Sequence, residues 1–287
     1  MNAPIGIMDS GVGGLTVWSA IRELLPRERF VYFSDHAHAP YGEKPPEFIV
    51  ERSRAVLRLL LEWDIKLCVV ACNTATTNSI STMRKEFPLP FVGVEPAIKP
   101  AAELSASGRI GVLATAGTLS SPLYQQTAGR YASDSEVITV IGSGLVEGIE
   151  SGDWDGPEFL DLLHSYLEVF ARNEVDVLVL GCTHYPFLSR QISDFFPYPI
   201  RVLDSSSAVA KRVRYLLGGQ HALSSKTGGK ELWNVPPAPD WLEVHGLYGL
   251  PFPSGEDLSA PGYFLSSGPI DSLTRALNYL GYPVDHS

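Results

Sequence analysis

The sequence predicts an α/β protein of two similar domains, each a mainly parallel sheet flanked by helices, facing each other across a cleft. Three observations carry this. Short aliphatic strands alternate with helical segments through the first hundred residues, as in a parallel sheet covered on both faces. The pattern then restarts: Ile110-Gly111-Val112-Leu113-Ala114-Thr115 echoes Ile5-Gly6-Ile7-Met8-Asp9-Ser10. Two aliphatic strands also end alike, one at Cys72-Asn73-Thr74 and one at Cys182-Thr183-His184. The expected division is residues 1–97 with 208–287 as the first domain, the chain returning to it at its end, and 98–207 as the second.

Taken in order, residues 4–8 form a short buried strand that breaks at Asp9-Ser10-Gly11-Val12-Gly13-Gly14. Leu15, Trp18, Ile21 and Leu25 then recur at helical spacing until Pro26. Strand, glycine-rich turn and helix can aim backbone N–H groups at a ligand, or can simply make a tight turn. The glycine spacing is not that of a dinucleotide fingerprint. Phe30–Phe33 is a strand leading to Asp35 and the turn Pro40-Tyr41-Gly42. Residues 47–63 form an amphipathic helix with Phe48, Val56, Leu59, Leu60 and Trp63 on one face. The strand from Lys66 to Ala71 delivers Cys72, and Asn73, Thr74, Thr76 and Thr77 open the next helix. Phe91–Val94 is a further strand.

In the second half, the strand at Ile110 runs to Thr115, with Gly117 and a helix-opening Thr118 after it. Val137–Ile141 is a strand, Leu145–Gly152 a loop carrying Glu147 and Glu150, and residues 157–172 a helix with Phe159, Leu162, Leu163, Tyr166 and Phe170 inward. The strand ending at Cys182 follows, then a strand at Ile200–Asp204 and a helix over Ser205–Leu217. Residues 218–262 turn proline- and glycine-rich and predict an irregular excursion, with Trp233, Trp241 and Tyr248 to pack it down. Ile270, Leu273, Leu277 and Leu280 mark a closing helix.

Composition bounds the function. A chain of 287 residues can hold two cores, and 45% hydrophobic residues exclude wholesale disorder. The net charge of −10 argues against nucleic acid or an anionic membrane as partner, but not against a small anion held by backbone N–H groups. Three cysteines, without disulfide spacing, fit a reducing compartment. No secretory signal or membrane-length apolar run is read, so a cytoplasmic protein is expected.

Three readings compete for Cys72 and Cys182. They could be small buried hydrophobes, as Cys68 inside its strand is expected to be. They could join Cys68 and His184 as a zinc set, but the spacing lacks tight knuckles and Cys68 would have to leave a core strand. Or they could move protons at carbon, helped toward the thiolate by adjacent helix N-termini, with Asp9, His184 and a loop glutamate beside them. A nucleophilic Cys182–His184 pair would leave Cys72 without a purpose.

The motifs Asp9-Ser10-Gly11-Val12-Gly13-Gly14-Leu15, Asp35 with Pro40-Tyr41-Gly42, Ala71-Cys72-Asn73-Thr74-Ala75, Gly117–Tyr124 and Gly181-Cys182-Thr183-His184-Tyr185-Pro186 resemble, in order, those of the glutamate racemases. The likeness runs over about residues 4–217 and again at Leu265–Leu280. It implies an isomerase that interconverts L- and D-glutamate without a cofactor or metal, supplying D-glutamate for peptidoglycan. Cys72 and Cys182 would be the two bases, Cys72 acting on D-glutamate and Cys182 on L-glutamate. Asp9, His184 and Glu150 would assist them, with Glu147 the rival to Glu150. Ser10, Asn73, Thr74, Thr115, Thr118 and Thr183 would grip the carboxylates, with Pro40, Tyr41 and Gly42 at the pocket. A homodimer is the expected assembly. His36 and His38 are expected to be solvated loop residues. The nearest rival is a two-cysteine racemase for aspartate, and from another class a binding protein that keeps the cleft without turnover.

Overall fold

A computed structural model of the chain describes residues 3–220, 248–251, 262–282 and 284. Aliphatic runs too short for helices became the central strands. These are β1 (Ile5–Asp9), β2 (Phe30–Ser34), β3 (Leu67–Val70) and β4 (Phe91–Gly93), then β5 (Arg109–Ala114), β6 (Glu136–Ile141), β7 (Val177–Gly181) and β8 (Arg201–Leu203). Two more, β9 (Tyr248–Pro251) and β10 (Tyr263–Ser266), complete the first sheet, whose order is β4-β3-β1-β2-β10-β9. The second sheet runs β6-β5-β7-β8. Every pairing is parallel except that of β9 with β10 at the edge.

The repeat seen in the sequence is therefore a repeat of topology. Read from the fourth strand of each set, both sheets run fourth-third-first-second: β4-β3-β1-β2 and β8-β7-β5-β6. Ile7 lies between Tyr32 and Val69, as Val112 lies between Thr139 and Val179. The inner strands β1, β3 and β7 are buried along their whole length, which is why they read as apolar runs rather than alternating, Asp9 at the end of β1 apart.

Helices cover the sheets: α1 (Leu15–Leu24), α2 (Pro46–Leu61), α3 (Asn73–Glu86), α4 (Ile98–Leu104), α5 (Ala116–Leu119), α6 (Pro122–Tyr131), α7 (Leu145–Ser151), α8 (Pro157–Arg172), α9 (Ser189–Phe195), α10 (Ser206–Gln220) and α11 (Asp271–Tyr279). One apolar cluster is continuous from the first sheet, through Ile7, Trp18 and Phe264, to the second, through Leu113, Leu180 and Phe170. Trp18 sits edge-on to Phe264 at 5.1 Å between ring centres.

Several expectations change. Leu145–Gly152 is not a loop. It is the helix α7, set between Gly144 and Gly152, both in the left-handed region, and it buries Leu145, Val146 and Ile149. Three buried apolar side chains in seven residues are too short a run to show a helical period. α6 was missed for a related reason: of its ten residues Tyr124 alone is buried. Asn73 and Thr74 lie inside α3 and do not cap it; the N-cap is Cys72. Thr115, not Thr118, caps α5. Of the stretch 218–262, residues 218–220 finish α10 and Tyr248–Pro251 form β9; residues 221–247 and 252–261, with Trp233 and Trp241, lie outside the described residues.

Phe170 is fully buried on α8 and packs over Gly111 of β5, where an added Cβ would fall 2.8 Å from its ring. Phe170→Ala should cost about 3–5 kcal/mol, read as a lowered urea midpoint.

Candidate active site

Ligands of parallel α/β sheets gather beyond the carboxyl ends of the strands. In this chain four such ends carry the predicted chemistry: Asp9 ends β1, Cys72 follows β3, Thr115 follows β5 and Cys182 follows β7.

At the first sheet, Cys72 has an extended backbone and caps α3, its Sγ accepting from the Ala75 N–H at 3.4 Å. Ser10 Oγ lies 3.6 Å from the same sulfur. Burial pushes the Cys72 thiol well up; charge on Asp9 adds to this and on Cys182 adds further, while the Ala75 N–H and Ser10 draw it back. A thiol poised low by its helix was expected, but the helix contributes one backbone N–H against near-complete desolvation. Asp9 Oδ2 accepts from Gly11 and Gly14 at 3.1 and 3.0 Å, whereas Oδ1 has no hydrogen-bond partner among the described residues. Burial raises the Asp9 carboxyl to about 6, the pull of His184 and the Gly14 N–H holding it there against Glu150.

At the second sheet, Cys182 Sγ lies 3.7 Å from His184 Nδ1, and His184 Nε2 lies 2.6 Å from Glu150 Oε1. Glu150 Oε1 also accepts from the Val12 N–H at 2.7 Å, and Oε2 meets His36 Nδ1 at 3.0 Å. Burial alone would raise Glu150, but hydrogen bonds from His184 and His36 bring it down to about 2. Burial would lower His184, yet bonds to Cys182 and Glu150 raise it well above the usual histidine range. Glu150, not Glu147, makes this pair; Glu147 is exposed and lies at the rim of the recess lined by Pro40, Gly42 and Thr115.

The glycine loop makes this approach possible. A Cβ at Gly11 would fall 1.7 Å from Glu150 Oε1, and one at Gly13 would fall 2.4 Å from His184 Nδ1. These glycines let two side chains of the second sheet lie directly on the backbone after β1.

Hydroxyls join the sheets on the other flank. Thr74 Oγ1 is 2.8 Å from Thr115 Oγ1 and 3.2 Å from Thr118 Oγ1, and Asn73 Nδ2 donates to the Val94 carbonyl at 3.5 Å. Thr183 is buried, and its carbonyl accepts from Thr16 Oγ1 at 3.1 Å. Gly42 packs on Thr115, and Pro40, Gly42, Thr115, Ala116, Gly142 and Val146 line a small recess between the sheets. Tyr41 does not offer its hydroxyl to that recess. It donates to Asp35 Oδ2 at 2.5 Å. Asp35 is fully buried and also receives both arms of the Arg52 guanidinium, at 2.9 and 2.8 Å.

The structure sets Ser10 beside Cys72, and His184 between Cys182 and Glu150; it also brings in His36, which the sequence reading left as a solvated loop residue. A histidine followed by His38 in a turn carries no periodic signal. Its partner is far along the chain. Cys68 stays locked in β3, opposite Gly6 and Phe91, which removes it from any shared metal set. Among the described residues no group of three or more His, Cys, Asp or Glu side chains is arranged to hold a metal ion.

A family model described as Asp/Glu/Hydantoin racemase matches residues 5–213. The chain belongs to the Asp/Glu/hydantoin racemase family. Membership makes it a racemase, an isomerase. Among similar proteins is the glutamate racemase of Pseudomonas entomophila (strain L48), 44% identical over 243 residues, covering 84% of this chain and 92% of that one. The Escherichia coli glutamate racemase, crystallised with L-glutamate and the activator UDP-MurNAc-Ala, matches at TM-score 0.70 and 41% identity, over 75% of this chain and 82% of that one. The Thermus thermophilus glutamate racemase, in complex with β-chloro-D-alanine, matches at TM-score 0.72 and 31% identity, over 99% and 95%. These racemases share the two-sheet α/β arrangement.

The Glu150–His184 pair sets a pH signature for stability. Glu150 is depressed on folding, so its contribution is present above 4.5 and is lost as pH falls from there through about 2. His184 is raised, so its contribution is full below 6.5 and is lost only as pH climbs through its raised value. Glu150→Gln should cost about 3–5 kcal/mol where both are charged. Thermal unfolding of the two proteins from pH 2 to 7 should show that gap closing below pH 4.5.

Proposed function

We propose that this racemase interconverts L- and D-glutamate by a two-base mechanism carried by Cys72 and Cys182. The observation that carries the reading is the doubled device: each thiol follows the third strand in chain order of a sheet with the same strand order, Cys72 within the field of the Asp9 carboxyl and Cys182 beside the His184 imidazole. The relatives named as glutamate racemases, at 44% and 41% identity, favour glutamate over aspartate as substrate.

The α-proton of an amino acid is very weakly acidic, so removing it requires a base fixed in contact and donors for the charge that develops. Starting from L-glutamate, the Cys182 thiolate takes the α-proton. The electron pair is left on the α-carbon, and the Cys72 thiol delivers its own proton to the opposite face. The product leaves with Cys72 as thiolate and Cys182 as thiol, and the reverse reaction uses these states. His184 provides a positive charge 3.7 Å from Cys182 Sγ, available to neutralise a thiolate there. Asp9, raised to about 6 and with one oxygen free of hydrogen bonds among the described residues, can accept the proton that Cys72 must shed to begin from D-glutamate.

Ser10, Asn73, Thr74, Thr115, Thr118 and Thr183 are the groups assigned to the two carboxylates, all of them short and uncharged. Such a grip suits an acidic protein that must also release its product. The proposed domains are 1–97 with 208–287, around the first sheet, and 98–207, around the second; the strand membership of the sheets supports this division. The proposed setting is the cytoplasm, as a homodimer, with D-glutamate feeding peptidoglycan. No helix among the described residues is long and apolar enough to cross a membrane.

The test is α-proton exchange and racemisation of L-glutamate, D-glutamate and L-aspartate in D₂O without added cofactor. Wild type should racemise glutamate, and Cys72→Ser and Cys182→Ser should each lose at least about 100-fold, the usual worth of a positioned acid or base. Turnover of aspartate alone would reassign the substrate. Binding of glutamate without exchange would leave a binding protein.

A further inference from the structure

His36 is the outermost member of the cluster that runs from Cys182 through His184 and Glu150. It is also the one that reaches water: its side chain is 22% exposed, against 9% for Glu150 and 2% for His184. We infer that His36 is a positioning residue for the Cys182 half of the reaction, holding Glu150 so that Glu150 in turn aims His184. This rests on the two-base reading above.

The geometry is a relay of four side chains. His36 Nδ1 meets Glu150 Oε2 at 3.0 Å, Glu150 Oε1 meets His184 Nε2 at 2.6 Å, and His184 Nδ1 faces Cys182 Sγ at 3.7 Å. A carboxylate on a helix of seven residues could turn about its own side-chain torsions. Val12 N–H and His184 fix only one of its oxygens. His36 fixes the other, and with both oxygens held the plane of the carboxylate is set.

His36 is itself presented by a rigid support. It follows Asp35, which is buried under the fork of Arg52 and the hydroxyl of Tyr41. The next residue, Ala37, donates to Ser267 Oγ at 3.1 Å, and Ser267 donates to Asp35 Oδ1 at 3.0 Å. Gly268 packs directly beside the ring, where a Cβ would fall 2.9 Å from His36 Cδ2. The charged groups facing the ring are Glu150 of α7, His184 after β7 and Arg275 of α11. The hydrogen bond to Glu150 is the largest influence and raises the His36 pKa, against burial and the two cations. The Cys72 half has no such relay: Asp9 is met by backbone N–H groups of its own loop.

A side chain acting through Glu150 should affect one proton transfer and spare the other. The variants are His36→Leu, which removes the hydrogen bond and the charge, and His36→Asn, whose amide N–H can occupy the place of Nδ1–H. The readout is the primary kinetic isotope effect on kcat/KM with 2-deuterated L- and D-glutamate, alongside pH profiles and thermal unfolding. His36→Leu should lower kcat/KM about 10-fold, the scale of one lost charge-assisted hydrogen bond. Its isotope effect should rise for the enantiomer that Cys182 deprotonates and fall for the other, and the acid limb of its pH profile should move up. His36→Asn should recover most of the rate. An isotope effect does not depend on the fraction of protein that folds, so misfolding cannot mimic this result. Unmoved isotope effects in His36→Leu, or an equal loss in Leu and Asn variants, would overturn the assignment. Racemisation that survives Cys72→Ser or Cys182→Ser at the wild-type rate would instead sink the two-base reading, whatever the His36 variants do.

Discussion

Glu150 is a carboxylate with less than a tenth of its surface in water, and a buried charge is tolerated only when its lone pairs are met. Its partners come from both sheets: the Val12 N–H and His36 from the first, His184 from the second. The rest of the site follows from that requirement. The loop after β1 must consist of glycines at Gly11 and Gly13, because the carboxylate and the imidazole occupy the space that side chains there would fill. α7 must begin and end at glycines, because it has to deliver one glutamate inward within two turns. His184 is then raised, against the burial that would lower it, by its bonds to the Cys182 sulfur and to Glu150.

The two halves of the site are built on one topology and tuned by different physics. The Cys72 side is governed by desolvation: a thiol with a helix N–H and a serine, beside a carboxyl raised to about 6. The Cys182 side is governed by paired charge: imidazolium between a sulfur and a carboxylate. The threonines at the other flank, Thr74, Thr115 and Thr118, close the hydroxyl triangle across the sheets without adding net charge.

By itself the sequence determined what is local or repeated. Uniformly apolar runs at β1, β3 and β7 specify strands buried on both faces, and their echo specifies two sheets of one plan. Cys72 and Cys182 stand out because polar, small residues follow a strand that should end in solvent or a ligand. Tertiary structure alone decided which distant groups meet. Glu150 and Glu147 are equivalent in sequence, three residues apart on one helix, and only packing turns one inward. His36 belongs to an aperiodic turn, so nothing local marks it, and its role comes from an oxygen supplied by the other sheet. Proton affinities were hidden for the same reason: they depend on burial and on charges brought together by folding, neither of which exists along an unfolded chain.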